Sequence, residues 1–416
     1  MLLLSASPGT ALAEPSAAPA VPSSLIRSPK LGSAVLLDPV AERGKYLASA
    51  GNCVSCHTRS RGAPFSGGVP FETPFGTIYS SNITPDRDTG IGKWTQDDLR
   101  RAMQQGIAAG GYYLFPAFPY TAFTKVTDQD VDAIYAYLRT LKPARYRPPS
   151  NGSLFTLRWG MAVWNALYFK PGRFRADPTR PAEWNRGAYL VEGLAHCSAC
   201  HSPRNWAMAE ETDRAYSGGI MSHAVAPGKI RRWSAINLTD TKRGLASWSI
   251  DDVAKYLSTG VSRRAGTFGP MNDVIANSLM YLKPEDVHAI AVYLKSLPPR
   301  ESPATELTAA QAHAGAAVYK ARCEKCHMAS GRGGIFNGPP LAGSAVTQAD
   351  DPASLINIVL YGAQTPQDIR LGVWETMKPY FDVLTDAEIA DVANYIRGSW
   401  ENHAPPVTPG DASRQR

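Results

Sequence analysis

Cys53-Val54-Ser55-Cys56-His57 is the first of three stretches with one pattern, two cysteines separated by two residues and followed directly by a histidine. The other two are Cys197-Ser198-Ala199-Cys200-His201 and Cys323-Glu324-Lys325-Cys326-His327. These stretches hold all six cysteines of the 416-residue chain. A scaffold of long-range disulfides would not need three copies of one five-residue pattern, so the sequence argues against such a scaffold.

The spacing of the pattern places both thiols and the imidazole on one side of a helical turn, because positions i, i+3 and i+4 share a face. Two thiols so placed can bind the two vinyl groups of one haem while the histidine binds its iron, and this is the attachment pattern of c-type haem. The sequence therefore predicts three covalently bound haem c groups. The predicted attachment residues are Cys53, Cys56, Cys197, Cys200, Cys323 and Cys326, and the predicted iron ligands are His57, His201 and His327.

Two other uses of paired cysteines fit this sequence less well. A thioredoxin-like redox pair requires a βαβ context, which the sequence does not indicate. A structural zinc ion takes four ligands from two neighbouring pairs, whereas 144 residues separate Cys53 from Cys197 and 126 separate Cys197 from Cys323. Covalent haem attachment is therefore favoured for all three pairs.

Methionines late in two of the repeats are candidates for the sixth iron ligand, since a thioether there suits electron transfer. They are Met271 and Met377. Met280 competes with Met271, but its place close to a predicted helix favours core packing. In the first repeat Phe118 stands at the matching position and cannot bind iron. The first haem is then predicted to be five-coordinate, water-ligated, or bound by another group such as Met103 or a lysine.

Further residues are candidates for supporting roles at the haems. We expect the carbonyl region of Pro339 to face the His327 ring, because iron-bound histidines need a partner for their second nitrogen. Four side chains can donate hydrogen bonds to haem propionates, although local turns and core packing explain them equally well. They are Asn82, Asn237, Trp94 and Trp248.

The chain around the three motifs repeats in register, which indicates duplication. A short helical segment with a glycine precedes each motif, and a helix with a shared spacing of apolar residues and one tyrosine follows it. The glycines are Gly44, Gly187 and Gly315, and the predicted tyrosine helices are Thr127–Leu141, Lys283–Leu297 and Thr385–Arg397. A glycine on the first helix would let the second helix approach closely. Thr127 with Asp130, and Thr385 with Glu388, predict capping boxes, and Pro284 suits a first helical turn.

These repeats predict a mainly α fold of three tandem cytochrome c-like domains with extensive loops. The predicted segments are a signal-peptide remnant (1–13), domain 1 (38–145), a linker with an apolar aromatic segment (146–180), domain 2 (181–298), a linker (299–306), domain 3 (307–400) and a disordered tail (401–416).

Composition narrows the class of protein. With 44% hydrophobic and 19% charged residues, bulk disorder is excluded. The formal net charge is +7, but the basic residues look scattered, which predicts a solvated surface and no nucleic-acid partner. No run of 18 apolar residues is present to span a membrane. Ala11-Leu12-Ala13 resembles the end of a signal peptide, and covalent haem attachment takes place outside the cytoplasm, so we expect a periplasmic protein.

The chain resembles the tri-haem cytochrome c subunit of periplasmic membrane-bound dehydrogenases. The resemblance covers nearly all of residues 40–400 and is carried by Arg186-Gly187-Ala188-Tyr189-Leu190, Cys197–Asn205, Gly269-Pro270-Met271 and the tyrosine helices. It implies an electron-transfer subunit with no catalytic residues of its own. Its implied partners are a dehydrogenase large subunit and small subunit, with ubiquinone or a terminal oxidase as electron acceptor. It also implies peripheral association with the outer face of the inner membrane, for which the aromatic stretch Trp159–Phe169 is one candidate surface and inter-domain packing an equal explanation.

Phe118 narrows the resemblance. Alcohol and sugar dehydrogenase subunits usually carry methionine there, whereas Pro116-Ala117-Phe118-Pro119-Tyr120 is similar to cytochrome subunits of molybdenum-hydroxylase-type dehydrogenases for aldehydes or N-heteroaromatics. This favours a molybdopterin aldehyde dehydrogenase as partner. The alternatives are a flavin- or quinone-dependent alcohol or sugar dehydrogenase, a peroxidase-like enzyme working at an open first haem, and a free-standing electron shuttle.

Overall fold

The computed structural model describes residues 37–152, 158–226, 229–301, 307–334, 337–363 and 374–416. The predicted signal-peptide remnant, residues 1–13, lies outside this range. The described chain is mainly helical, as predicted, with two short antiparallel hairpins added to the helices. Within residues 38–180 the elements are α1 (Pro39–Ala50), α2 (Cys53–His57), β1 (Pro70–Thr73), β2 (Gly76–Tyr79), α3 (Gln96–Gln105), α4 (Tyr120–Phe123), α5 (Asp128–Thr140) and α6 (Gly160–Tyr168).

The second part of the chain repeats this order, including the hairpin, whereas the described residues of the third part form helices only. Residues 181–298 form α7 (Ala182–Tyr189), a π-helical turn (Leu190–Leu194), α8 (Ser198–His201), a 3₁₀ turn (Thr212–Arg214), β3 (Gly219–Ala226), β4 (Lys229–Ala235), α9 (Ile250–Thr259), α10 (Pro270–Asn277), a 3₁₀ turn (Leu279–Tyr281) and α11 (Pro284–Lys295). Residues 307–416 form α12 (Ala309–Ala314), α13 (Ala316–Arg322), α14 (Glu324–His327), α15 (Ala353–Tyr361), α16 (Asp386–Gly398) and α17 (Pro409–Ser413).

Each of the three glycines lets two helices touch backbone to backbone. A Cβ atom on Gly44 would lie 1.7 Å from the carbonyl oxygen of Ala133 in α5. The same atom on Gly187 would lie 2.0 Å from the Ala289 oxygen in α11, and on Gly315 2.2 Å from the Asp391 oxygen in α16. No side chain fits at such distances, so the predicted close approach of the tyrosine helix is confirmed in all three repeats.

The helix starts were partly predictable. Thr385 and Glu388 form the predicted capping box, and Pro284 occupies the first turn of α11. The box predicted at Thr127 is only half present: its hydroxyl accepts from the amide of Asp130, but the Asp130 carboxylate does not return to the Thr127 amide. Other side chains bind that carboxylate instead.

Asp130 joins the first and second repeats. Arg43 of α1 donates to one of its oxygens from Nε and Nη2, at 3.0 and 2.6 Å. The hydroxyl of Tyr189, at the end of α7, donates to the other at 2.5 Å. A buried carboxylate of the first repeat is therefore held jointly by an arginine of its own repeat and a tyrosine of the next.

The second repeat returns the same contact. Asp286 in α11 accepts from Arg186 of its own repeat at 2.7 and 2.6 Å, and from the hydroxyl of Tyr46 of the first repeat at 2.5 Å. Burial raises the pKa of Asp286, but the hydrogen bonds from Arg186 and Tyr46 outweigh it and hold that pKa below its usual value. The first two repeats thus exchange tyrosines in a reciprocal contact, which fixes their relative position.

The third repeat attaches through the second hairpin. Ser354 at the start of α15 exchanges hydrogen bonds with the backbone and hydroxyl of Ser234 in β4. Asn357 donates to the carbonyl of Arg232 at 2.7 Å, and Arg232 pairs with Asp351. This interface contains no counterpart of the tyrosine exchange among the described residues, so the third repeat is joined differently from the first two.

The C-terminal residues 401–416 correct the prediction of a disordered tail. Ala412 of α17 is fully buried and Val407 nearly so, both packed against α15 and α16. Thr408 and Asp411 form a capping box, and Arg416 pairs with Asp386. The segment looked like a tail because it is short and polar, but its few apolar side chains complete the core of the third repeat.

Gly187→Ala tests the backbone contact. The added Cβ must displace α11, so we expect a loss of about 1–3 kcal/mol in the free energy of unfolding, the usual cost of overpacking a core. Thermal or urea unfolding of the haem-loaded protein measures it. Gly160→Ala is the matched control, since a Cβ there meets nothing within 4 Å; equal stability of the two variants would contradict the proposed contact.

Alkaline pH tests the exchanged tyrosines. Burial, and then the bond to a carboxylate, raise the pKa of Tyr46 and of Tyr189 to about 12. Since the unfolded value is about 10, their contribution to stability is complete below about pH 10 and is lost as the pH rises towards 12. In the double variant Tyr46→Phe/Tyr189→Phe we expect a loss of about 1.5–3 kcal/mol per hydrogen bond at pH 8 and a smaller further loss at pH 11. Urea unfolding midpoints of the double variant and the wild type are compared at pH 8 and pH 11, with Tyr112→Phe at an exposed tyrosine as the control. An equal loss of stability at both pH values would contradict the role proposed for the two tyrosines.

Candidate haem-binding site

The three motif histidines share one orientation. In each, Nδ1 lies within hydrogen-bond distance of a backbone carbonyl: Ser81 at 2.7 Å from His57, Ile236 at 2.8 Å from His201 and Pro339 at 2.9 Å from His327. A carbonyl can only accept, so Nδ1 must carry the proton, which leaves Nε2 with its lone pair free for iron. The predicted role of Pro339 is confirmed, and the structure supplies its two equivalents.

The sequence analysis missed Ser81 and Ile236 as partners of the histidines, because any residue type can supply a backbone carbonyl. A signal was nevertheless present, since each directly precedes a repeated Asn-x-Thr turn. In the first turn the Asn82 side chain accepts from the amide and hydroxyl of Thr84 and donates to the carbonyl of Ala144. Asn237 makes the same contacts with Thr239 and donates to the Arg300 carbonyl. Both asparagines are thus held in the turns, which is the second of the two explanations that the sequence left open for them.

One continuous cavity of about 1750 Å³ serves the first two motifs. Its wall includes both cysteines and the histidine of each motif, together with Phe118 from the first repeat and Met271 from α10. Met271, the predicted sixth ligand of the second haem, therefore lies on the same cavity as His201. The first two candidate sites are not separate pockets but neighbouring parts of one space.

The cavity wall fits a group that is apolar with carboxylate arms. Among the described residues, three buried donors on this wall have no hydrogen-bond partner: Ser217 Oγ, Arg231 Nε and Trp233 Nε1. A buried donor left unpaired costs about 1–3 kcal/mol, so these atoms call for acceptors inside the cavity. Haem propionates are such acceptors, and the rest of the macrocycle matches the apolar wall.

No disulfide joins the six cysteines, and those of the first two motifs lie on the apolar cavity wall. Burial above all raises the pKa of Cys53, Cys56 and Cys197 to about 12, so the thiols are neutral near pH 7. Within the described part of the chain, no group of three or more His, Cys, Asp or Glu side chains is placed to hold a metal ion directly. The pairs therefore do not assemble into the zinc site considered as an alternative.

The first repeat has a phenylalanine at the position where an iron ligand was expected. Phe118 lies on the cavity wall and packs edge-on against Phe123, with ring centroids 5.4 Å apart. Met103 is 4% exposed, lies in the helical core and is not part of the cavity wall. Three methionines that the sequence analysis did not consider reach the wall: Met161 from α6, and Met208 and Met221 from the second repeat. All three come from outside the first repeat, so its own pattern could not reveal them.

In the third repeat a tethered segment carries Met377. Trp374 donates from Nε1 to the carbonyl of Gly334, seven residues after His327, at 3.0 Å. The Tyr380 hydroxyl donates to the carbonyl of Arg322, next to Cys323, at 2.8 Å. The segment is thus tied at both ends to the chain around the motif, while residues 364–373 before it lie outside the described range.

Known proteins are similar to this chain in sequence. The cytochrome c family model matches residues 41–142 and 312–400. The cytochrome c subunit of alcohol dehydrogenase (quinone) from Gluconacetobacter polyoxogenes is 37% identical over 410 residues, 94% of this chain and 86% of that protein. The gluconate 2-dehydrogenase cytochrome c subunit of Pantoea cypripedii is 38% identical over 393 residues, 88% of this chain and 87% of its own. The chain belongs to the family of dehydrogenase cytochrome c subunits. It is an electron-transfer subunit that binds haem c covalently and works with a dehydrogenase.

A further relative differs in length. A nicotinate dehydrogenase subunit from Pseudomonas putida is 42% identical over 367 residues, 86% of this chain, but the chain spans only 30% of that protein. These relatives give no support to the peroxidase-like alternative.

Among the described residues, no helix is both long enough and apolar enough to cross a membrane.

Proposed function

We propose that this cytochrome subunit carries three haem c groups and passes electrons between a dehydrogenase and ubiquinone or a terminal oxidase. The haems would be attached to Cys53 and Cys56, to Cys197 and Cys200, and to Cys323 and Cys326, with His57, His201 and His327 as iron ligands. Met271 and Met377 would be the sixth ligands of the second and third haems. When bound, each haem supplies a one-electron redox centre. The observation that carries the proposal is the same carbonyl-oriented histidine in all three motifs.

The protein holds the first two sites close to each other. Cys56 of the first motif and Cys200 of the second both lie on the wall of the shared cavity. Asn277 of the second repeat donates to Ser55, inside the first motif, at 3.0 Å. The two motifs therefore border one space, and the exchanged tyrosines fix the two repeats around it. This arrangement supports direct electron exchange between the first two centres.

We infer a dehydrogenase acting on an aldehyde or an N-heteroaromatic compound as the partner, with a large and a small subunit and a molybdopterin cofactor. Phe118 and the 42% identity to a nicotinate dehydrogenase subunit support this choice. A flavin- or quinone-dependent alcohol or sugar dehydrogenase is the second candidate, because those cytochrome subunits match over 86–87% of their own length. The complex would lie in the periplasm, peripheral to the outer face of the inner membrane.

Purification of the native complex tests the partner. The co-purifying subunits and their cofactor are identified by mass spectrometry, and molybdopterin supports the first candidate. Flavin or a quinone cofactor would favour the second. Recovery of the chain as a lone monomer would contradict the subunit proposal itself.

Met271→Ala and Met377→Ala test the sixth ligands. Loss of a thioether should lower the potential of one haem and change its spin state, leaving the other two unchanged. Redox titration followed by absorption and electron paramagnetic resonance measures both effects. Met280→Ala is the control, since Met280 lies in a 3₁₀ turn off the cavity wall. Three unchanged haems in either variant would contradict that assignment.

Phe118→Met tests the first site. If the phenyl ring occupies the ligand position, a methionine there should raise the low-spin fraction and the potential of one haem towards those of the others. Phe123→Met is the control, because Phe123 packs against Phe118 and is nearly fully buried. A first haem that is already low-spin and stays unchanged would show that another side chain binds its iron.

A further inference from the structure

Helix α6, between the first two repeats, is anchored on one side only. Trp164 donates from Nε1 to the carbonyl of Ala207 at 2.9 Å, and its ring lies edge-on to Tyr120. Asn165 accepts from the Tyr120 hydroxyl at 2.6 Å. These contacts fix the rotation of the helix, so its other side has a defined direction.

The other side of α6 is an exposed apolar stripe. Trp159, Val163 and Leu167 follow one another at intervals of four residues and are 71%, 55% and 66% exposed. Ala162 and Ala166 beside them are exposed as well. Among the described large apolar side chains, only Trp206 is more exposed than these three, at 86%. Trp206 precedes Ala207, whose carbonyl accepts the hydrogen bond from Trp164. The four most exposed large apolar side chains of the described residues are thus all at this helix.

The chain segment that contains α6 carries charged side chains of a single sign. Residues 133–176 contain eight Lys and Arg and no Asp or Glu, so this segment carries +8 while the remainder of the chain carries −1. The basic residues of this segment are scattered, as expected, but no acidic residue lies among them. Arg173 pairs with Asp128, whereas Lys170 and Arg175, just after α6, are exposed and form no ion pair within the described residues.

We propose that the α6 face, made of Trp159, Val163, Leu167, Lys170 and Arg175, docks on an anionic lipid surface. An interfacial helix buries an apolar face at the acyl boundary and presents Lys and Arg to acidic headgroups, with tryptophan at the boundary. Helix α6 has nine residues, about 13 Å in length, which suits lying in an interface and is too short to span one. The exposed cations Lys170 and Arg175 match phosphate headgroups.

Vesicle sedimentation of the haem-loaded full chain tests this docking. Vesicles of phosphatidylcholine with 30% phosphatidylglycerol, on the order of a moderately anionic leaflet, are compared with pure phosphatidylcholine. We expect binding to the anionic vesicles only, weakened by added salt. Lys170→Gln/Arg175→Gln should weaken it roughly 30-fold, since each surface cation contributes about fivefold. Trp159→Ser/Val163→Ser/Leu167→Ser should reduce binding at least as much.

Val40→Ser/Val383→Ser is the matched control, because these valines are 54% and 50% exposed elsewhere on the molecule. This variant should bind the anionic vesicles like the wild type. The haem spectrum of every variant must stay unchanged, which separates failure of docking from failure of the haem assignment. Equal binding of the α6 variants, or no binding to either vesicle, would overturn the proposal. Loss of dehydrogenase assembly with vesicle binding intact would overturn it too and assign the face to a protein partner.

Discussion

The contact of a glycine with a carbonyl of the facing helix determines where each motif can lie. Gly44 lies in α1, which ends at Ala50, three residues before Cys53. Because a Cβ at Gly44 would overlap the Ala133 oxygen, α1 and α5 lie at the closest separation that two backbones allow. The motif that follows α1 is thereby fixed relative to α5. The same constraint at Gly187 and Gly315 explains how one pattern gives three similarly oriented histidines.

A second level of constraint acts between repeats. Asp130 and Asp286 each hold an arginine of their own repeat and a tyrosine of the other, so neither repeat completes its own polar cluster alone. Truncating one partner of such a cluster leaves a buried charge poorly paired, which is costly. The exchange therefore gives the first two repeats a defined geometry and lets their two sites merge into one cavity. The third repeat, bound through Ser234 and Ser354, takes no part in this exchange among the described residues, although it contributes Ser344 and Ser354 to the cavity wall.

The sequence predicted what is local and repeated. The motifs, the glycines and the Thr385 cap each have a residue type that the geometry requires, and each recurs or pairs at short range. The sequence did not predict that the carbonyls of Ser81 and Ile236 orient the motif histidines, since every residue has a backbone carbonyl. The Tyr46–Asp286 bond joins residues 240 positions apart, so no local pattern could announce it. The capping box at Thr127 failed for the same reason, because a distant tyrosine and arginine outcompeted the local amide for Asp130.

Helix α6 lies between the cavity and the outside of the molecule. Met161 and Trp164 belong to the cavity wall, while Trp159, Val163 and Leu167 are exposed. One helix, about 10 Å across, therefore separates the space shared by the first two motifs from whatever covers the α6 face. If that cover is a lipid surface, the first two redox centres lie next to the compartment in which a membrane-soluble quinone moves. The cysteines and the histidine of the third motif are not part of this wall, so docking through the α6 face concerns the first two motifs directly.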